Sequence, residues 1–203
     1  GKLVEAFYRN GKTNREYWYN RCLNDRTIDN YKLGFYEGWS TIPIYNDNIF
    51  VNFQCRRDAP ERAMRFWYED KDFSPVLFNK SVLNFVDSVY IVEGVVDCIL
   101  LNQLGFPSVC TTNGSNHWNH SWIKYFSHIK SIVYIADHDV AGEMAARRVA
   151  NSLGQGRVKV VCFNGKEDKF DTVDFFRNGG DVQEFKELID KSIYGFELKE
   201  YKW

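Results

Sequence analysis

Tyr134-Ile135-Ala136-Asp137-His138-Asp139-Val140-Ala141-Gly142 is the stretch on which the fold turns. The run that leads into it, residues 131–136, is apolar almost throughout, which is the pattern of a strand buried on both faces. It ends in two aspartates one residue apart. In extended geometry positions i and i+2 share a face, so Asp137 and Asp139 point the same way, and His138 faces away from them and is assigned no role. Beyond them Val140, Met144, Ala145, Val149 and Leu153 form an apolar stripe that stops near Gly154, predicting an amphipathic helix. Two carboxylates held side by side repel one another unless a cation lies between them, and hard oxygen donors select Mg²⁺ or Mn²⁺ over zinc.

The same grammar occurs upstream in Tyr90-Ile91-Val92-Glu93-Gly94, a buried strand ending in an acid followed by glycine. Residues 88–92, 107–111, 131–136 and 157–163 read as strands, and the segments between them are long enough for crossover helices, at residues 95–104, 118–127 and 140–153. A further helix is predicted over residues 182–189. The pattern is that of an α/β domain with a parallel sheet flanked by helices. Ligands of such sheets bind at the carboxyl edge of the strands, where both acidic motifs fall, and Gly94 permits a sharp turn or a close approach there. Asp97 follows within the first helical turn and can point back at the same site. A lone Asp at a helix start is more often an N-cap than a metal ligand, and Asp97 and Asp139 are each candidates for that role. Two acidic strand ends in one sheet favour the joint reading: a metal cluster of Glu93, Asp137 and Asp139 that polarises phosphoryl oxygens in phosphodiester chemistry.

The first 85 residues read differently. Strand-like patches at residues 41–45, 49–54 and 64–68 are separated by turns containing Asn, Asp and Pro. They predict a smaller α+β subdomain (residues 1–85) ahead of the α/β domain (residues 86–203). The opening 25 residues, rich in Tyr and Asn, offer a short helix around residues 17–23. No repeat or low-complexity tract is present.

With 203 residues and 44% hydrophobic content the chain is long enough to bury a sizeable core. The 26 Lys+Arg against 27 Asp+Glu leave a formal net charge of −1, so any polyanion must be met by local clusters rather than a global cationic field. The 17% aromatic share serves either core area or stacking on bases. Cys22, Cys55, Cys98, Cys110 and Cys162 are scattered singly, with no zinc-ligand spacing; free, mostly buried thiols and a cytoplasmic setting are expected, with no zinc within this chain. No membrane span or signal-peptide pattern is present, which predicts a soluble protein. Starting at Gly1 without Met, the chain reads as an excised fragment with flanking domains to either side.

Taken in order, these motifs resemble the catalytic core of bacterial and phage DNA primases, built around a TOPRIM domain. Glu93-Gly94-Val95-Val96-Asp97 is similar to that family's E-G-x-x-D, and 104–109 with Thr112-Asn113-Gly114 to its next strand and glycine turn. Asp137-His138-Asp139-Val140-Ala141-Gly142, with Ala145 and Arg148, resembles its D-x-D-x-A-G helix. The segment before TOPRIM matches too: Tyr31-Lys32-Leu33-Gly34-Phe35, Ile42-Pro43-Ile44, Val51-Asn52-Phe53-Gln54-Cys55-Arg56-Arg57, Arg65-Phe66-Trp67-Tyr68 and Ser74-Pro75-Val76-Leu77-Phe78-Asn79-Lys80. TOPRIM topoisomerases and nucleases lack that segment. The resemblance spans residues 27–180. It departs at the third acidic motif, Lys169-Phe170-Asp171-Thr172-Val173-Asp174, where Val173 replaces one possible carboxylate.

The resemblance implies template-directed synthesis of short RNA primers on single-stranded DNA from ribonucleoside triphosphates, with Mg²⁺ or Mn²⁺ as cofactor. It implies a probable replicative helicase partner and a place in the cytoplasm, the host's if the source is viral. Glu93, Asp97, Asp137 and Asp139 are the implied catalytic acids, with Glu93, Asp137, Asp139 and the supporting Asp171 on metal, and Gly94, Gly114 and Gly142 at backbone turns. Glu93 serves as ligand or as the base that takes the 3′-hydroxyl proton. Arg56, Arg57 and Lys80 match positions that line the groove beside the metals, where phosphates need cationic partners. They belong to a mixed window that includes Arg62, Arg65 and Lys71, much of it readable as a solvated strand face. Phe66, Trp67 and Tyr68 are candidates for base stacking, with burial the expected role of at least one. The competing readings are a TOPRIM nuclease using the same acids, and a non-catalytic template-binding module of a replication complex, for which Val173 is the best support.

Overall fold

The computed structural model describes residues 1–58, 63–68, 74–114, 117–195 and 197–199. Its first sheet is antiparallel, with order β1 (Gly34–Tyr36), β2 (Trp39–Asn46), β3 (Ile49–Arg56) and β4 (Met64–Phe66). Alternation divides its side chains. Trp39, Phe53, Cys55 and Trp67 face α1 (Lys2–Gly11) and pack with Val4 and Phe7, while Ile42 and Ile44 face the second sheet. The sequence showed no sign of α1, because its apolar positions Leu3, Val4, Phe7 and Tyr8 are interrupted by Lys, Glu and Arg. Tertiary burial of one face makes the helix. The helix expected around residues 17–23 is a single turn, α2 (Glu16–Tyr19), and it cannot continue because Cys22 sits in the left-handed region at φ 61°. Next comes α3 (Asp25–Asn30), begun by Asn24, whose side chain accepts from Thr27 N at 2.9 Å.

The second sheet has six strands, and its four central ones are parallel as expected. β5 (Leu77–Phe78) is antiparallel at one edge; β6 (Ser88–Val92), β7 (Ser108–Thr111), β8 (Ser131–Ile135) and β9 (Val158–Val161) follow, and β10 (Ile193–Tyr194) is antiparallel at the other edge. The spatial order is β10-β9-β8-β6-β7-β5. Strand β6 therefore has β7 on one side and β8 on the other, and the chain reverses its direction of travel between β6 and β8. That is a topological switch point.

Helices cover both faces. On one lie α4 (Val95–Gln103), α6 (Thr172–Arg177) and α7 (Val182–Asp190); Ile99, Val173 and Phe185 there share a buried cluster with Ile42 and Ile44, so the two sheets have a common core. On the other lie α5 (Val140–Leu153) and a 3₁₀ segment at His120–Phe126. Two expectations shift on this face. The helix predicted over 118–127 is 3₁₀, with Trp118, Trp122 and Phe126 buried. The stripe read on α5 is rotated: Ala145, Ala146, Val149, Ala150 and Leu153 are buried, whereas Val140 and Met144 are 74% and 55% exposed. The alanines are small enough to let α5 lie close on the sheet, so they, not the larger residues, form its contact face. All five thiols are free, three of them buried.

Candidate carboxylate site at the sheet switch point

Glu93 directly follows β6, and Asp137 lies two residues past β8, so the switch point sets them side by side. Asp137 N donates to Glu93 Oε1 at 3.1 Å. Helix α5 presses against this pair through Gly142, where a Cβ would lie 2.2 Å from Asp137 O and 2.8 Å from Glu93 Oε1. Glycine is required there for space. The same holds for Gly94, the N-cap residue of α4, since a Cβ on it would lie 2.2 Å from Asp97 Oδ2. Asp97 thus folds back towards Glu93, as the sequence suggested, and its Oδ1 accepts from Val173 N at 3.1 Å. Gly114, at φ 85°, needs the left-handed freedom of glycine.

Asp139 and Asp171 are both N-caps. Asp139 Oδ1 accepts from Gly142 N at 2.7 Å, and Asp171 Oδ1 accepts from Asp174 N at 2.7 Å, so the capping reading holds for both. Each keeps a second oxygen for other work. Val173 is buried beside Asp97, and Asp174 turns to Arg177, 2.5 Å away.

Electrostatics tie the acids into one unit. Burial first, then the charges of Glu93, Asp97, Asp171 and Asp139, push the Asp137 carboxyl well above the usual carboxylate range. Burial and Asp171 push Asp97 up to about 8, opposed by the Val173 hydrogen bond and Arg56. Asp171 is raised chiefly by burial. Beneath them the buried Tyr134 phenol is held protonated by burial, by Glu93 and Asp137 and by a hydrogen bond to Glu93, with Arg148 opposing. Such a set is short of positive charge, and its donors are all oxygen, which suits a hard dication. Among the described residues no three acidic, His or Cys side chains converge at ligand spacing, so a metal would have to draw these carboxylates together.

The model of the Toprim-like family matches residues 90–173, the segment that holds Glu93, Asp97, Asp137, Asp139 and Asp171. The structure superposes on the Escherichia coli primase catalytic core with a TM-score of 0.78 at 16% identity, over 98% of this chain and 80% of that one. For a Pseudomonas aeruginosa DNA primase domain the values are 0.76, 18%, 95% and 77%. For the primase fragment of the bacteriophage T7 primase-helicase protein they are 0.69, 21%, 84% and 72%. The chain has the primase-core fold. No curated protein matches its sequence.

Within this primase-core fold the three cationic residues singled out in the sequence part company. Arg56 ends β3 on the face turned to the second sheet, and its charge acts on Asp97 and Cys110. Arg57, its neighbour, points the other way and lies over the Trp39 ring at 4.2 Å. Lys80 follows β5, which runs antiparallel to β7 and so exits at the amino edge of the parallel strands, the end opposite the carboxylates. Arg65 also lies over Trp39, at 4.7 Å, and Trp67 packs edge-on against Phe7 and Tyr36, while Tyr68 is exposed. Arg62 and Lys71 lie outside the described residues.

Two cations the sequence did not single out reach the acids. Arg21 stacks on Tyr17 at 3.7 Å and donates to Asp58 at 2.6 Å, and its charge acts on Asp171; Arg177 acts on the same carboxylate. Arg21 lies in a segment without a periodic pattern, and only the tertiary fold brings it to the site. His138 stays out of the acid cluster: its backbone bridges Phe170, and its Nδ1 is buried without a partner.

Proposed function

We propose that the chain is a primase catalytic core that makes short RNA primers on single-stranded DNA from ribonucleoside triphosphates. The observation that carries this reading is the acid set at the switch point of a fold that includes the four-stranded subdomain as well as the Toprim-like sheet. A solved DnaG primase catalytic domain of the same fold is described as bound to single-stranded DNA, which supports a template partner, and the primase-helicase origin of the T7 fragment supports a helicase.

In this reading Glu93, Asp137 and Asp139 hold Mg²⁺ or Mn²⁺, with Asp171 in support. The ion would neutralise charge on the transferring phosphoryl group and lower the pKa of the attacking hydroxyl. Glu93 is fixed by Asp137 N on one side and Tyr134 below, so it presents its carboxylate at a defined angle. Asp97, held by Val173 N, orients Gly94 and the start of α4. Arg56 and Arg21 supply positive charge on the subdomain side of the acids, where phosphates of template or nucleotide would pass. The division into residues 1–85 and 86–203 and action in the cytoplasm belong to the same proposal. Among the described residues no helix is long and apolar enough to cross a membrane.

The test is incubation with ribonucleotides, single-stranded DNA and Mg²⁺ or Mn²⁺. Oligoribonucleotides that disappear in Asp137→Ala support the reading. Metal-dependent cleavage without incorporation would point to a nuclease, and neither activity to a template-binding module.

A further inference from the structure

At the amino edge of the second sheet, away from the carboxylates, a cleft of about 550 Å³ opens between the β2–β3 hairpin and the segment after β5. The hairpin closes with Asn46 paired to Ile49 around a two-residue turn, Asp47 and Asn48, both at positive φ (49° and 64°). This is the geometry of a type I′ turn, which Asn and Asp favour. The turn directs Asp47 at Lys80: Oδ1 lies 2.7 Å from Nζ. Lys80 Nζ also donates to Asn46 Oδ1 at 3.0 Å and lies 5.3 Å from the centre of the Tyr125 ring, whose other cationic neighbour, Lys124, is at 5.2 Å. The two partners are unequal in exposure, 17% for the Lys80 side chain and 74% for that of Asp47. An enclosed ammonium is thus covered by an outlying carboxylate.

The walls have the composition that nucleotides need. Tyr45, 41% exposed, and Tyr125 offer ring faces. The side-chain amides of Asn30, Asn48 and Asn84 line the cleft and make no hydrogen bond among the described interactions, which leaves their donors and acceptors for base edges. The charged lining residues are Lys32, Lys80 and Asp47, so release of Asp47 would double the net positive charge.

We propose that this cleft binds a phosphate-bearing nucleotide unit, the base against the tyrosines and free amides and the phosphate on Lys80, and that Asp47 holds the phosphate position when the cleft is empty. The carboxylate is an internal decoy: it neutralises Lys80 until a more highly charged anion displaces it. The unit comes either from a free nucleoside triphosphate or from an unpaired stretch of single-stranded nucleic acid. Because the cleft lies at the opposite sheet edge, a mononucleotide bound there leaves the acids free, whereas a single strand bound there can run on to them.

The whole chain is titrated at low salt, with EDTA to exclude any metal site, against two probes: ATP and a fluorescent oligothymidylate. Asp47→Asn keeps the turn, since Asn is at home in the left-handed region, and removes the decoy charge. It is expected to raise affinity for the true source about three- to tenfold, while Lys80→Ala and Tyr45→Ala lower it. A gain confined to the oligonucleotide assigns the cleft to single strands, and a gain confined to ATP assigns it to free nucleotides. If Asp47→Asn leaves both affinities within about twofold of the native chain, or neither probe binds either protein, the proposal is wrong. Because no metal or turnover is involved, that failure is separate from a failure of the proposed primer synthesis.

Discussion

Gly142 and Glu93 are in such close register that a Cβ on the glycine would sit 2.8 Å from the glutamate Oε1, and nearer still to the Asp137 carbonyl. Alanine ordinarily gains up to about 1 kcal/mol over glycine inside a helix. Here that gain is outweighed, because the blocking atom at 2.2 Å is backbone and α5 must move as a unit. Gly142→Ala is expected to destabilise by about 1–3 kcal/mol and to reduce metal-dependent incorporation. Thermal unfolding and primer assays on one preparation check both effects. A variant of native stability and activity would mean that α5 is not seated on Glu93 as described.

Asp97 is a second place where stability and chemistry pull apart. Its carboxyl is pushed up to about 8 by burial and Asp171, against about 3.9 for an aspartate in an unfolded chain. Between those values the folded state holds a proton that the unfolded state has lost. Stability is therefore fully present below about pH 4 and drains away as the pH rises towards 8. Asp97→Asn keeps an oxygen for Val173 N and removes the charge. Without metal it should melt higher than the native chain at pH 8–9, by about 2–4 °C per kcal/mol gained, with the gap closing towards pH 5. Equal melting curves across that range would show that Asp97 titrates normally.

Arg56 and Arg57 are adjacent in sequence and opposite in the fold, so they separate function from packing. Arg56→Ala is expected to cut primer synthesis with little change in melting temperature. Arg57→Ala gives up its stacking on Trp39, costs about 0.5–2 kcal/mol, and should leave activity near native. Reversal of the two phenotypes would refute the placement of their side chains.

That pair also shows how far the sequence could be read. The parallel strands and their acidic ends were legible because a doubly buried strand leaves an unbroken apolar run, and Glu93 and Asp137 interrupt it at the sheet edge. Strand alternation placed residues on faces but could not say which face met the second sheet, so Arg56 and Arg57 looked equivalent. Helix α5 was legible as a helix and misread in orientation, since Val140 and Met144 are larger than the alanines that make the contact. Lys80 matched a family position by its place in the chain, whereas the direction of β5 carries it to the far edge. Helix α1 left no signal strong enough to separate it from a loop.

Asp139 decides between the two oldest explanations for an acid at a helix start. Its Oδ1 caps α5 through Gly142 N, which by itself would account for its presence. Asn caps about as well as Asp, so Asp139→Asn should hold stability within about 0.5 kcal/mol, while Asp139→Ala loses about 0.5–2 kcal/mol of cap. If Asp139 also holds a dication, the Asn variant is nonetheless inactive and binds Mn²⁺ more weakly by calorimetry, because the lost quantity is charge and not a hydrogen bond. Full activity in Asp139→Asn would reduce Asp139 to a cap and leave Glu93, Asp137 and Asp171 to form the site.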